Sequence, residues 1–280
     1  MIIAEAIGVG SIPRQEALVL LAFASSRTRE QLLARSTEAL GASVEQAFDE
    51  LVQRRLDGEP IAYLLGRREF YGRDFVVDSR VLIARPETEL LVDSALEWIA
   101  QRPTAAGGGP LRVLDLGTGS GAIAITLALE FPSIAITATD NSAGALEIAA
   151  QNARRLGAAV RFVRTDWLAA FNPIGGRPDQ FDLIVSNPPY IAADDPHLSE
   201  GDLRHEPRNA LTDNADGLQA IRHIVANSIR HLRVNGCLML EHGYDQAAQV
   251  RKLLIEPGFA QITSSRDLAG IERVTIGERG

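Results

Sequence analysis

Asn187-Pro188-Pro189-Tyr190 follows the apolar run Phe181-Asp182-Leu183-Ile184-Val185-Ser186, which reads as a buried strand. Two prolines stop a strand abruptly, so the tetrapeptide falls at its carboxyl edge, where open α/β sheets take their ligands. A residue before proline is held extended. The Asn187 side-chain carbonyl and the Pro188 main-chain carbonyl can then both accept hydrogen bonds from one planar NH2 group, while the Tyr190 ring covers its flat face. An amide or an exocyclic base amine fits such a site. A plain X-Pro-Pro turn explains the four residues about as well, so other positions must decide.

A second constellation is Asp115-Leu116-Gly117-Thr118-Gly119-Ser120-Gly121, between a predicted strand and a predicted helix. Glycines there let the backbone approach a nucleotide-like ligand closely. Asp140 closes the next strand, where its carboxylate can accept from both ribose hydroxyls. Asp166-Trp167 closes the third, so the acid can accept from an adenine amino group while the indole packs on the ring. A cap residue and a core ring are the plain alternative for that pair. Gly117-x-Gly119-x-x-Ala122 with Asp140 also satisfies the loose dinucleotide fingerprint, which keeps NAD in play. Asp115 favours S-adenosylmethionine: a carboxylate beside the loop gains nothing from a pyrophosphate, but it gains from an ammonium and a sulfonium.

The elements that must hold these residues are legible from periodicity. From Arg14 to about Leu56 the spacing of Ala17, Leu18, Leu21, Leu32, Leu33, Leu40, Phe48 and Leu51 predicts a small helical bundle. Ser43 with Gln46 resembles a capping box, and Gly41 reads as the end of the preceding helix. Aromatic alternation over Glu69 to Val77 predicts a hairpin between two domains. After a Gly-rich loop at 103–110, strands are expected at 111–116, 134–139, 160–164, 181–186, 237–241, 261–265 and 273–276. Helices are expected at 121–130, 142–156, 217–232 and 245–255. Alternating β and α units of this kind predict a doubly wound, mostly parallel α/β sheet with helices on both faces. We expect a helical bundle at 1–65, a hairpin linker at 66–90 and the α/β domain at 91–280.

Composition narrows the class. At 280 residues and 46% apolar content, the chain can bury a sizeable core. Ala17 to Ala24, the longest early apolar stretch, is too short to span a bilayer, and the charged residues around it spoil a signal peptide. A cytoplasmic location without membrane association is expected. Cys237 is the only cysteine, which excludes internal disulfides and Cys-rich zinc sites, and five scattered histidines lack ligand spacing, so no metal is expected. A net charge of −8 argues against stable, nonspecific nucleic-acid binding. Lys252 is the only lysine, a skew with no evident functional reason.

The loop at 115–121, Asp166-Trp167 and Ser186-Asn187-Pro188-Pro189-Tyr190-Ile191 together resemble the PrmC/HemK family, S-adenosylmethionine-dependent glutamine N5-methyltransferases of bacterial peptide chain release factors. The likeness extends over nearly the whole chain. It takes in Arg85-Pro86-Glu87-Thr88-Glu89, Asp195-Pro196-His197-Leu198, Glu206-Pro207 with Ala210-Leu211, Glu241-His242-Gly243 and Glu272-Arg273-Val274-Thr275. Ala84 departs from the family's proline before the Arg-Pro-Glu-Thr-Glu run and removes no chemical group. The resemblance implies a Rossmann-like class I methyltransferase fold with a small N-terminal domain that docks a protein substrate. It further implies that Gly117, Thr118, Gly119, Ser120, Gly121, Asp140, Asp166, Trp167 and Asn187 hold the cofactor. By the same likeness Asn187, Pro188, Pro189 and Tyr190 bind the substrate glutamine, with Asn187, Pro188 and Tyr190 catalytic. That glutamine lies in the Gly-Gly-Gln loop of class 1 release factors.

Asn-Pro-Pro-Tyr also serves enzymes that methylate the exocyclic amine of adenine in DNA or RNA, because both substrates present a planar NH2 on an sp² carbon. Such enzymes extract the base and grip phosphates, which calls for a basic surface that this sequence lacks. Glutamine methylation of a ribosomal protein, an NAD-dependent oxidoreductase and a non-catalytic binding module complete the alternatives. The first two keep or replace the substrate and cofactor; the last discards the chemistry.

Overall fold

The computed structural model describes residues 1–102, 104–105, 108–171 and 179–280. Residues 103, 106 and 107 of the expected Gly-rich loop lie outside the described residues. The chain begins with five helices: α1 (Ile3–Ile7), α2 (Arg14–Ser25), α3 (Arg29–Ala34), α4 (Ala42–Leu56) and α5 (Ile61–Leu65). Their apolar stripes meet in a core of their own, centred on Ile3, Leu20, Leu21, Leu32 and Phe48, all withdrawn from solvent. The capping box falls at Thr28, whose hydroxyl accepts from the Gln31 amide while the Gln31 side chain accepts from the Thr28 amide. Ser43 instead lies inside α4. Gly41 caps the start of α4 in an extended conformation rather than ending α3, which stops at Ala34.

Strands β1 (Arg67–Phe70) and β2 (Arg73–Val76) form an antiparallel hairpin closed by Tyr71 and Gly72. Both turn residues have positive φ, 52° and 72°, the twist that lets a two-residue turn match its strands. Tyr71 tolerates that conformation with help: its amide donates to Glu89 and its hydroxyl to Asp93.

The remaining elements are α6 (Glu89–Ala100), β3 (Arg112–Leu116), α7 (Ala122–Glu130), β4 (Ala135–Asp140), α8 (Ala143–Leu156), β5 (Arg161–Arg164) and β6 (Phe181–Ser186). They are followed by α9 (Arg208–Leu211), α10 (Gln219–Ser228), β7 (Leu232–Glu241), α11 (Ala247–Ile255), β8 (Phe259–Arg266) and β9 (Glu272–Arg279). Seven strands make one sheet in the order β5-β4-β3-β6-β7-β9-β8. Neighbours from β5 through to β7 pair in parallel, and β9 runs antiparallel between β7 and β8. The doubly wound α/β class is therefore met. Two apolar clusters pack on opposite faces of the sheet, one against α6 and α7, the other against α10 and α11. Central strand β6 is buried at every position, as a strand covered on both faces must be.

The order reverses between β3 and β6, so a crevice opens beyond their carboxyl ends, the usual ligand position in such sheets. Register fixes what stands there. Leu116 pairs with Ser186, and Ser186 with Leu240, so Gly117, Asn187 and Glu241 leave three adjacent strands at the same level. One buried side chain ties the hairpin to this layer. The Asn152 amide exchanges hydrogen bonds with both Val76 backbone groups, at 2.7 and 3.0 Å, and donates to the Ser120 carbonyl at 2.9 Å. Among the described residues no helix is long and apolar enough to cross a membrane.

Candidate active site

A cleft of about 680 Å³, open mouth included, lies over the crevice. Its floor is made by strand ends. Gly117 and Gly119 come from the turn after β3, Asp140 from the end of β4, Asp166 and Trp167 from the segment after β5, and Asn187 and Pro189 from the turn after β6. Four separate strands thus deliver the predicted residues to one place.

The glycine turn is built for close approach. Gly117 and Gly119 take φ of 73° and 54°. A Cβ on Gly119 would meet no atom within 4 Å, and one on Gly117 would meet the Trp167 ring at 3.6 Å. Bare backbone therefore lines the cleft beside an indole face. Thr118 and Ser120 are buried behind it and do not line the cleft. Gly121 serves helix packing, since a Cβ there would run into Ile125 at 2.7 Å and Ala149 at 3.2 Å.

Asp140 holds the turn from the side. Its Oδ2 accepts from the Gly119 amide at 3.0 Å and its Oδ1 from the Ser142 amide at 2.9 Å. An ionised carboxylate offers about four lone-pair positions, so roughly two remain for a pair of vicinal hydroxyls. Burial raises the Asp140 pKa, partly offset by the amides of Ser142, Gly119 and Asn141.

Asp115 is fully buried and outside the cleft lining. Its Oδ2 accepts from the Thr118 hydroxyl at 2.7 Å, and Oδ1 has no partner among the described residues. Burial raises its pKa to about 7, with the nearby Asp140 charge adding to the effect. The carboxyl expected beside the loop instead sits beneath it, buried and held by the Thr118 hydroxyl. Trp167 adopts φ of 44°, a left-handed conformation unusual for an aromatic residue, and packs against the core beneath the cleft.

Asn187 is half-buried. Its Nδ2 donates to the Thr88 hydroxyl at 3.2 Å, across 99 residues of chain, which leaves Oδ1 as the free acceptor beside the cleft. Pro188 is buried, and Tyr190 is half-buried with its hydroxyl donating to Glu241 at 3.3 Å. Tyr190 packs on the core and does not line the cleft, so its ring stands further back than a cover over the substrate would. Burial raises its pKa, and the Glu241 charge acts in the same direction.

Sequence reasoning did not foresee the wall opposite the strands. Arg80, Val81 and Leu82 from the linker and Pro207, Asn209 and Ala210 from the segment after β6 close it. The buried Glu206 side chain joins those two pieces by accepting from the Ile83 amide at 2.9 Å and from Arg85. The family-like motifs around Arg85 and Glu206 marked these segments, but composition alone carries no sign that they meet.

The donor set suits S-adenosylmethionine. Asp140 has acceptor positions left for ribose hydroxyls, and bare glycine backbone and Trp167 can face the flat and chain-like parts of the ligand.

Comparison with known proteins gives two family matches. Residues 5–66 match the PrmC N-terminal domain, and residues 92–204 the methyltransferase small domain. A release factor glutamine methyltransferase of Neisseria gonorrhoeae is 48% identical over 274 residues, spanning 98% of this chain and 96% of the relative. One from Bordetella pertussis is 50% identical over 266 residues, 95% of each. Among solved structures, a methyltransferase from Pyrococcus furiosus aligns with a TM-score of 0.53 at 18% identity, covering 81% of this chain and 97% of that one. The hMettl16 catalytic domain, solved with the MAT2A 3'UTR hairpin 1, gives 0.56 at 16%, covering 82% and 80%. These two structural likenesses establish the fold alone.

Proposed function

This chain belongs to the release factor glutamine methyltransferases, and from that footing we propose that Asn187 clamps the side-chain amide of a release factor glutamine while S-adenosylmethionine lies across the glycine turn. The enzyme is a methyltransferase acting on the glutamine N5 of release factors. The target is the glutamine of the Gly-Gly-Gln loop of class 1 factors. The observation that supports the site assignment is the place of Asn187 in the cleft lining with its Nδ2 hydrogen-bonded to Thr88, an arrangement that turns the carbonyl oxygen to the substrate side.

When bound, the cofactor supplies an electrophilic methyl group on a sulfonium. An amide nitrogen is a poor nucleophile because its lone pair is delocalised into the carbonyl. Asn187 Oδ1 and the Pro188 carbonyl accept the two N–H bonds of the substrate, align the nitrogen with the methyl carbon, and stabilise the positive charge that grows on it. Alignment of two bound reactants contributes on the order of 7–11 kcal/mol. The acceptors act by the electrostatics of an oxyanion hole with the sign reversed. Asp140 orients the ribose, Asp166 and Trp167 hold the adenine, and the extra proton of the product passes to water.

In this reading residues 1–65 dock the protein substrate, 66–90 form the linker and 91–280 the catalytic domain. The separate core of the first five helices supports the division. The two parts touch through charge: Arg55 pairs with Glu16 in its own bundle at 2.7 Å and with Asp202 across the interface at 2.8 Å. An adenine methyltransferase is disfavoured by the near full-length identity to glutamine enzymes.

The test is incubation with labelled S-adenosylmethionine and candidate release factors, followed by peptide mapping of the added methyl group. Asn187→Ala is expected to lower turnover roughly 10²–10³-fold, the cost of losing one preorganised hydrogen-bond partner. Label on nucleic acid, or a wild-type rate for Asn187→Ala, would overturn the reading.

A further inference from the structure

A carboxamide is nearly symmetric in shape, so a site that relies on its oxygen needs something to tell oxygen from nitrogen. Thr88 accepts from Asn187 Nδ2, but a hydroxyl alone does not settle the matter. It can equally well donate to an oxygen in the same place. What settles it is where its single proton goes.

Glu241 follows Leu240 at the end of β7, level with Asn187 at the end of β6. It is 1% exposed, and Thr88 is 3% exposed. Glu241 Oε1 accepts from the Tyr190 hydroxyl, while Oε2 has no hydrogen bond of normal geometry among the described residues. Burial raises the Glu241 pKa to about 7, and of the groups that offset this the Thr88 hydroxyl acts most strongly, followed by Tyr190. With Glu241 Oε2 buried and otherwise without a partner among the described residues, a Thr88 proton turned toward it meets an acceptor that is costly to leave unsatisfied. Turned toward Asn187 it would abandon that acceptor.

We propose that Thr88 is a positioning residue for methyl transfer: its hydroxyl donates to Glu241, so that it can only accept from Asn187 Nδ2, and Asn187 Oδ1 is held toward the substrate amide. Polarity passes from a buried acid on β7 through the residue that caps the start of α6 to the rim of β6. The same acid holds the Tyr190 hydroxyl, so both flanks of the Asn-Pro-Pro-Tyr turn are set by one group. The proposal rests on the amide-clamp reading of Asn187.

The experiment measures kcat on release factor at saturating cofactor, with S-adenosylmethionine affinity by calorimetry, for four enzymes. Thr88→Val keeps the shape and removes the hydroxyl. It is expected to lower kcat about tenfold, the rate equivalent of one lost orienting hydrogen bond, with cofactor affinity unchanged. Thr88→Ser restores most of the rate. In an Asn187→Ala background, Thr88→Val costs nothing further, because Thr88 acts only through Asn187. A wild-type kcat for Thr88→Val, a Thr88→Ser enzyme as slow as Thr88→Val, or a full additional loss in the double variant would each overturn the proposal. Asn187→Ala alone separates the two levels: full activity there sinks the clamp, whereas a slow Asn187→Ala with a fast Thr88→Val sinks only the orienting role.

Discussion

Replacing Asp140 by Asn changes one atom and asks two questions at once. The carboxylate uses each oxygen on a backbone amide, Oδ2 on Gly119 at 3.0 Å and Oδ1 on Ser142 at 2.9 Å. Asn has one oxygen, so one of those amides faces an NH2 group instead. That loss, about 1–3 kcal/mol for a donor left without an acceptor, is present with or without cofactor and appears as lowered stability. Binding suffers separately. A ribose hydroxyl that donated to a charged oxygen, worth about 1.5–3 kcal/mol, meets a neutral carbonyl worth nearer 1, or an NH2 to which it can only accept. The net loss of about 1–2 kcal/mol corresponds to a dissociation constant for S-adenosylmethionine raised roughly 5- to 30-fold. Asp140 touches neither the substrate amide nor Asn187 in this scheme, so kcat at saturating cofactor should stay near wild type while KM for the cofactor rises. Calorimetric titration and steady-state kinetics on release factor read the two quantities. A fall in kcat with unchanged affinity would move Asp140 into the chemistry, and no change in either would remove it from the site.

Gly217→Ala should damage the substrate loop from outside the cleft. Its φ is 78°, and an added Cβ would stand 2.4 Å from the Tyr190 carbonyl oxygen. A left-handed non-glycine residue costs about 1–2 kcal/mol, and a shift of the Asn-Pro-Pro-Tyr turn by an ångström can cost on the order of 10² in rate. Lower kcat with intact S-adenosylmethionine binding is expected; a fully active variant would show that the turn absorbs the clash harmlessly. Asp115→Asn tests the acid under the glycine turn. Because burial raises the folded pKa to about 7, above the ordinary aspartate range, the group's contribution is fully present below about pH 4 and is lost as pH rises through 7. Cofactor-free Asp115→Asn should therefore gain stability over wild type as pH climbs from about 4 to about 7, by up to about 4 kcal/mol, and level off above. A pH-independent difference in melting temperature would contradict a neutral Asp115 in the fold.

Strand-by-strand periodicity was a good guide where elements are buried on both faces. The strand at 181–186 matches β6 residue for residue, and Ser142 caps α8 through the Ala145 amide as its type suggests. Amphipathic pattern alone misled at ends. The helix expected over 217–232 spans Gln219–Ser228 and tightens into a 3-10 turn, and β7 starts at Leu232 rather than Cys237, with a register shift between the two and Asn235 at φ 62°. The helical bundle expected over Arg14–Leu56 consists of α2, α3 and α4, with a first break, at the left-handed Ser26 and the Thr28 cap, that the pattern did not mark.

The site divides similarly. Gly117, Gly119, Asp140, Asp166, Trp167 and Asn187 announce themselves by standing at strand ends. Thr88 and Glu206 stand at no strand end, and the position of Glu241 at the end of β7 does not reveal its partner: these three matter through partners 99, 121 and 51 residues away. Nothing in local pattern encodes such meetings. The positive φ of Trp167 was equally hidden, since no aromatic residue advertises a left-handed backbone.

Asn152 gives the molecule a shared fastener. One amide on α8 occupies both backbone groups of Val76 in the hairpin and the carbonyl of Ser120 in the glycine turn. Peeling the hairpin from the sheet would break both bonds between Asn152 and Val76 at once. The strap that leads to the N-terminal helices and the bed for the methyl donor are thus riveted at a single point. A change at that one residue would therefore be felt in the hairpin and in the glycine turn together.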